Sequence, residues 1–409
     1  MELPVNIYFI SLPHWTVVIA GFLIALGITG ITIPSIVTIS RIKFLCYTPN
    51  SRTSHTNSTP TFGGVAVFAG IIFSTVIMAG TYFNSGLTYI IIGLVIIFFL
   101  GIKDDILIID PLKKLAGQIL AASLIAVFAD IRITNLYGLF YIGQLPYIAS
   151  IMFTVFVFIV IINGFNLIDG IDGLASGIGI LSASVMGIWF WMTADIAYAI
   201  FSFALIGSLS AFFCFNVFGR KNKIFLGDTG SQITGFVIGI LACRFLQVKI
   251  DEQGVTDLPS APAVVCGILI VPLFDSLRVF ILRIVQGKSP FKADRQHLHH
   301  LLLKLNFTHL QATLILMSVN LFFIILSYSL RGIGIIWLTG VITGFASLMS
   351  YILVIIVREK DKETIETVHP AHSIPVAWRK RNKMKPVLEN QLVLDTFLHS
   401  ADVTNARLN

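Results

Sequence analysis

Charged residues are scarce in this sequence. Only 12% of its 409 residues are Asp, Glu, Lys or Arg, whereas an ordinary soluble domain has about 25%. Hydrophobic residues make up 56%, and the mean hydropathy is +0.88. A soluble globular fold is excluded, because a chain of this length cannot hide so much apolar surface from water. We therefore expect an all-α integral membrane protein.

Cysteine is also rare, with four residues in the chain. All four lie in or beside apolar stretches, and none has the CxxC or Cys/His spacing of a metal site. A disulfide framework and a structural zinc site are not indicated, and we interpret the four residues as buried thiols.

Basic residues are missing from the first 13 positions. A removable signal peptide has a basic start and a short apolar core, whereas the apolar run 15–39 is too long for such a core. We expect this run to remain as the first membrane span.

Apolar runs long enough to cross all or most of a bilayer recur as far as Val357. Polar interruptions divide them into about eleven predicted spans. These are 15–39, 62–80, 87–102, 115–129, 147–162, 178–192, 196–218, 232–246, 262–283, 312–330 and 333–357. Residues 1–357 are thus predicted to form a polytopic membrane domain, followed by a tail of residues 358–409.

The basic residues are distributed unevenly across this topology. With the N-terminus outside, 24 of the 28 Lys and Arg residues fall on the inner side. Because basic residues concentrate in cytoplasmic segments, the sequence predicts an outer, periplasmic N-terminus and a cytoplasmic C-terminal tail. The net charge of +7 comes from these inner-side basic residues, so it is explained by membrane topology and does not indicate a nucleic-acid partner.

Five loops on the predicted inner side contain most of the clustered polar chemistry. They are 41–60, 103–114, 163–177, 219–231 and 283–309. The first is rich in Ser and Thr and has no carboxylate, so by itself it is an ordinary connection.

The second loop begins with Asp104 and Asp105, and Lys113 and Lys114 follow. Adjacent carboxylates repel each other unless a cation or a proton lies between them, and Mg²⁺ suits such oxygen ligands. A solvated helix end is the alternative interpretation.

The third loop, Asn163 to Gly177, combines two Asn, two Asp and four Gly between strongly apolar stretches. Lipid does not tolerate such a segment unless it faces water or an aqueous cavity. Its glycines let the backbone approach a ligand, and its Asn and Asp side chains suit a base, a sugar hydroxyl or a metal.

The fourth loop contains Asp228 between two glycines, just before a predicted span. This carboxylate is a candidate metal ligand, although an Asp here also suits a helix cap.

The fifth loop places His297, His299 and His300 beside basic residues, a pattern that favours phosphate recognition over zinc binding. Upstream, Asp275 and Arg278 lie within an apolar span, and two interpretations remain for them: a mutual ion pair that orients the helix, or a direct role in substrate binding.

In this order, the inner loops resemble the polyprenyl-phosphate N-acetylhexosamine-1-phosphate transferases. The resemblance extends from about Trp15 to Val357. It depends on Asp104-Asp105, the segment 163–177, the segment Phe225 to Ser231, and the histidine loop. Residues 287–291 and 294–300 are most similar to the bacterial branch that transfers GlcNAc-1-phosphate from UDP-GlcNAc to undecaprenyl phosphate.

The resemblance implies a site made from most of these loops. It implies catalytic roles for Asp104, Asp105, Asp169, Asp172 and His297. It implies substrate binding by Asn163, Asn166, Lys113, Asn216, Arg283, Arg295, His299 and His300. It implies that Asp104, Asp105 and Asp228 lie at a Mg²⁺ site, with Mn²⁺ as the alternative ion.

The implied reaction yields undecaprenyl-pyrophosphoryl-GlcNAc and UMP and starts the synthesis of a cell-surface polysaccharide. Membrane lipids are expected partners, a homodimer is an open alternative, and the active site is expected to face the cytoplasm at the bacterial inner membrane. The same chemistry on another UDP-N-acetyl sugar is an alternative.

Two other protein classes fit this sequence less well. A polytopic transporter predicts acids near the bilayer midplane and a repeat between halves, whereas most clustered acids here gather on one predicted face. A CDP-alcohol phosphotransferase requires an Asp-Gly-x-x-Ala-Arg pattern, but Asp172-Gly173 continues into Leu174-Ala175-Ser176.

Overall fold

The structure is a computed structural model and is helical almost throughout its described part. It describes residues 13–43, 46–47, 59–79, 82, 86–107, 109–247, 260–288 and 296–368. The chain divides into two compact units, Met1–Val357 and Arg358–Asn409. The second unit is described only as far as residue 368, where the last helix ends.

Thirteen α-helices are present among the described residues. In chain order α1 to α13 are His14–Ile42, Gly63–Ala79, Gly86–Leu107, Pro111–Phe128, Tyr147–Ile168, Leu174–Met192, Ile196–Phe213, Gly227–Gln247, Ala261–Ile268, Ile270–Val285, Leu298–Lys304, His309–Ser329 and Ile335–Val368. A π-helical turn, Cys214–Phe218, extends α7, and Leu139–Tyr141 is a 3-10 turn. The strands β1 (Cys46–Tyr47) and β2 (Thr59–Pro60) pair antiparallel.

Nine of the helices in the described ranges are long and apolar enough to cross a membrane. The pair α9 and α10, bent by 83°, adds a tenth if it forms one broken span, and Gly63–Met78 is a shorter apolar helix. Each lies where a span was predicted. Helices dominate because lipid offers no partner for backbone N–H and C=O groups, which must therefore bond within the segment.

Helix α8 is central to the packing. In its apolar 18-residue stretch 89% of the residues are buried, a larger share than in any other described span. Its neighbours approach closely through small residues: Gly101 of α3 packs against the Thr229 backbone, and Gly235 of α8 packs against Ile162 of α5. Because α8 begins at Gly227, the helices packed around it bring their ends to the same place as Asp228.

The break between α9 and α10 is held by α12. The Asn320 side chain donates to the carbonyl of Ile268 (3.1 Å) and accepts from the N–H of Val271 (3.4 Å). These bonds replace part of the helical pattern that the bend interrupts. The bend directs α10 towards α5, which it contacts through Gly164 and Pro272.

Candidate functional site

Asp105 caps the central helix. One carboxylate oxygen accepts from the Asp228 N–H (2.7 Å), and the other accepts from the N–H (3.1 Å) and hydroxyl (2.5 Å) of Thr229. A carboxylate at a helix N-terminus satisfies N–H groups that have no partner within the helix. The structure therefore ties the second and fourth predicted loops together at Asp228.

Gly227 is required at this junction. Its φ of +74° lies in the left-handed region that favours glycine, and a Cβ there would meet the Thr61 carbonyl and both Asp105 carboxylate oxygens. The first loop also contributes, since the Pro60 carbonyl accepts from Phe225 N–H (2.8 Å). In its described part this loop therefore hydrogen-bonds to the fourth loop just before α8 begins.

Lys114 lies between two of the acids. Its Nζ is 2.6 Å from Asp104 Oδ2 and 2.7 Å from Asp228 Oδ1. Asp110 caps α4 by accepting from Leu112 N–H, which fixes the start of the helix that carries Lys114. Lys113, the residue predicted to bind substrate, is exposed. Its neighbour Lys114 is the residue that contacts the acids, and Lys114 was not selected from the sequence.

Asn166 completes the group around Asp228. Its Nδ2 donates to Asp228 Oδ1 (2.7 Å) and to Ser231 Oγ (2.9 Å), and its Oδ1 accepts from Lys114 Nζ (3.4 Å). Asn163, three residues earlier, instead donates to Gln118 Oε1 (2.9 Å) and to the Ile159 carbonyl. Asn166 thus contacts the acids, whereas Asn163 contacts the buried Gln118.

Asp169 immediately follows α5 and lies near the same acids. Burial raises the pKa of Asp169 well above its usual range, and the charges of Asp228 and Asp105 add to the rise. The Asp169 carboxyl therefore retains its proton to a higher pH than an ordinary aspartate.

Asp172 belongs to a separate polar group. Its Oδ2 lies 2.7 Å from Lys223 Nζ and 3.3 Å from His309 Nδ1. Asn216, predicted to bind substrate, accepts from the Gly173 N–H (2.7 Å) and donates to the Ile224 carbonyl (2.9 Å). It therefore shapes the turn after Asp172. Sequence reasoning did not select His309 or give Lys223 a role beyond topology.

Asp275 holds the start of the histidine segment. Its carboxylate lies 3.0 Å from His297 Nδ1 and accepts from the Leu298 N–H (3.0 Å). Arg278 Nη2 is 3.1 Å from the same carboxylate and also donates to the Gln296 carbonyl. The Asp275–Arg278 ion pair therefore exists and also orients His297.

His299 is buried against the third loop. A Cβ on Gly170 would come within 2.3 Å of His299 Nε2, so the ring packs on the backbone next to Asp169. Burial, together with the charge of His300, lowers the pKa of His299 to about 3. This ring is neutral at physiological pH, and its His300 neighbour lies 4.2 Å away between ring centroids.

Two predicted cationic residues remain. Arg283 is buried near the end of α10. Arg295 lies outside the described residues. The structure thus brings Asp104, Asp105, Asn166, Asp169 and Asp228 into one cluster with Lys114 and places His299 against the edge of its third loop.

The donors of this cluster suit a divalent cation. The ammonium of Lys114 already faces the carboxylates of Asp104 and Asp228, and the Asn166 amide lies beside them. Within the described ranges, no three His, Cys, Asp or Glu residues form a metal group by themselves. Mg²⁺ needs no such cage, because one or two carboxylates usually hold it while substrate phosphates and water complete its shell. The residues therefore fit Mg²⁺ or Mn²⁺.

Residues 87–246, which contain the acidic cluster, match glycosyl transferase family 4. The chain is similar to undecaprenyl-phosphate alpha-N-acetylglucosaminyl 1-phosphate transferase of Escherichia coli strain K12, with 31% identity over 64% of this chain and 70% of the relative. The Yersinia pestis protein with the same description is 32% identical over 64% of this chain and 71% of the relative.

A third relative is decaprenyl-phosphate N-acetylglucosaminephosphotransferase of Mycobacterium leprae, 29% identical over 68% of this chain and 74% of the relative. These similarities agree with the motifs and with the helical architecture. The chain therefore belongs to glycosyl transferase family 4, within the polyprenyl-phosphate N-acetylhexosamine-1-phosphate transferases that its inner loops resemble.

Proposed function

We propose that this protein transfers GlcNAc-1-phosphate from UDP-GlcNAc to undecaprenyl phosphate. The observation that carries the proposal is the cluster of Asp104, Asp228, Asn166 and Lys114, which joins carboxylate, amide and ammonium groups at the ends of four helices. Such a cluster suits a phosphoryl transfer, in which positioning and charge stabilisation do most of the work. The names of the relatives supply the substrates.

In the proposed reaction, an oxygen of the lipid phosphate forms a bond to the sugar-bearing phosphorus of UDP-GlcNAc. The bond from that phosphorus to the bridging oxygen breaks, and UMP leaves with that oxygen. Asp105 is engaged in capping α8, and Asp104 accepts from the Ile109 N–H (2.8 Å) with one oxygen. We assign proton acceptance from the lipid phosphate to one of these two adjacent carboxylates. The Lys114 ammonium, 2.6 Å from Asp104 Oδ2, would offset negative charge on the acceptor phosphate.

The remaining roles follow from position. Asp228 and Asp104, with Asn166 beside them, would hold Mg²⁺, which when bound supplies positive charge to the diphosphate. His297, oriented by Asp275, would donate to phosphate oxygens, and His299 and His300 lie beside it on α11. Asp169, Asp172, Asn163, Asn216, Arg283, Arg295 and Lys113 are proposed to line or support the nucleotide-sugar side.

We further propose that the enzyme lies in the bacterial inner membrane with this cluster facing the cytoplasm. The predicted excess of basic residues on the inner side supports this orientation. The product would then start a cell-surface polysaccharide.

The test is UMP release by the purified full-length chain with Mg²⁺ and undecaprenyl phosphate. UDP-GlcNAc, UDP-GalNAc and UDP-MurNAc-pentapeptide are compared, and UDP-GlcNAc is expected to react fastest. Faster release from another sugar would correct the substrate, and no release from any of them would refute the proposal. Asp228→Asn is expected to abolish release; retained activity would remove Asp228 from the metal site.

A further inference from the structure

A second polar layer lies beneath the acidic cluster, inside the membrane spans. Gln118 Nε2 of α4 donates to Gln232 Oε1 of α8 (3.1 Å), and Asn163 Nδ2 of α5 donates to Gln118 Oε1 (2.9 Å). Gln118 and Gln232 are almost fully buried, at 1% and 0% exposure. The three side chains therefore form a chain of amides that links three helices.

The deeper layer repeats the helices of the cluster above it. Gln118 lies four residues after Lys114, and Gln232 lies four residues after Asp228. Asn163 lies three residues before Asn166, on the helix whose C-terminal end faces the cluster. Since residues three or four apart share one face of a helix, each amide lies about one turn below its partner in the cluster.

Stability alone does not account for this layer. The Nε2 of Gln232 has no hydrogen-bond acceptor in the described part of the chain, although the residue is fully buried. A partly satisfied polar network is less stable than a well-packed apolar core, so Leu would be expected at these positions if packing were the only requirement. The hydrogen bonds between the amides instead fix the rotation and depth of each helix relative to its neighbours, which we call their register.

We propose that Gln118 and Gln232 are positioning residues that hold α4, α5 and α8 in register for the cluster. The amide chain fixes the rotation and depth of each helix, and therefore the place where Lys114 and Asp228 meet. In the described structure the two glutamines hydrogen-bond to each other and to Asn163, not to the acids of the cluster. Their effect on turnover rests on the proposed function, whereas their effect on the geometry of Lys114 does not.

The first test measures that geometry without activity. Lys114 is 16% exposed and held between two carboxylates, so an amine-reactive reagent should label it slowly, while its exposed neighbour Lys113 serves as the internal reference. Labelling is quantified by mass spectrometry in Gln118→Leu, Gln232→Leu and the double variant. We expect the ratio of Lys114 to Lys113 labelling to rise by roughly threefold or more, because the ammonium is less tightly held.

The matched control is Thr234→Val on α8. Thr234 is buried like Gln232, but in the described part of the chain its hydroxyl donates to the Gly230 carbonyl of its own helix (2.8 Å) and to no neighbouring helix. Its substitution should leave the labelling ratio unchanged. The double variant removes both glutamine amides together. Asn163 then still donates to the Ile159 carbonyl (2.8 Å), so the variant leaves no buried amide without a hydrogen bond in this layer and should fold.

The second test measures UMP release. Displacing catalytic groups by a fraction of a turn is expected to lower kcat by roughly tenfold or more in the Gln118 and Gln232 variants, with the melting temperature little changed. An unchanged labelling ratio would overturn the inference, and so would a fall in kcat equal to that of Thr234→Val. If the wild type releases no UMP, the proposed function fails, and the labelling ratio still decides the positioning role.

Discussion

Replacing Asp105 with asparagine tests whether this residue acts mainly as the cap of α8. The carboxylate accepts three hydrogen bonds, from the N–H groups of Asp228 and Thr229 and from the Thr229 hydroxyl. Asparagine keeps one oxygen and turns an NH₂ group towards the remaining donor. At least one bond to a charged acceptor is lost, which costs about 2 kcal/mol of folding free energy.

The assay is thermal melting of the purified protein in detergent, measured beside UMP release. We expect Asp105→Asn to lower the melting temperature by several degrees. Release should fall by about a hundredfold, because Asp228 is no longer held in place. Asp104→Asn should reduce release as well, but it leaves the α8 cap intact.

The matched control is Asp110→Asn, a change of the same chemistry at the cap of α4. Asp110 is exposed, and in the described structure its carboxylate accepts from Leu112 N–H; asparagine caps helices about as well as aspartate. This variant should melt like the wild type. If Asp105→Asn also melts like the wild type, the capping role is wrong and Asp105 acts on substrate or metal.

Three further predictions concern the cluster and the histidine segment. Lys114→Met should reduce UMP release by about a hundredfold, whereas the same change at the exposed Lys103 should leave it within about twofold, a difference that a side-by-side rate assay detects. Gly170→Ala should reduce release because its Cβ displaces His299, and normal release would show that this contact is not needed. The pKa of His299 is lowered on folding, so the stability it contributes is present above its unfolded pKa of about 6.5 and is lost as pH falls towards 3. Melting between pH 7 and pH 5 should therefore depend less on pH in His299→Gln, and an unchanged dependence would contradict the burial of this ring.

Much of the architecture was predictable from composition. A bilayer leaves a long apolar segment almost no choice but a helix, so the predicted runs coincide with helices in the described structure. The break at Leu269 was not predicted, because residues 262–274 around it include no charged or amide side chain. It depends on Asn320, which lies about fifty residues away in sequence.

The membership of the acidic cluster was also predicted in large part. Asp104, Asp105, Asp169 and Asp228 were selected because acids and glycines are conspicuous in an apolar chain. Their separate duties were not predictable. Asp105 caps a helix that begins more than a hundred residues later, and this contact has no signature in the local sequence.

The sequence by itself determined that this chain has the composition of a membrane protein, which segments are helical and which loops hold the clustered acids, asparagines and histidines. These properties depend on local composition and on the solvent. The tertiary structure alone decided that Lys114 and not Lys113 meets the acids, and that Asn163 lies below Asn166. Neighbours on a helix point about 100° apart. The rotation and depth at which helices pack therefore select the contact, and both are set by residues far apart in the chain.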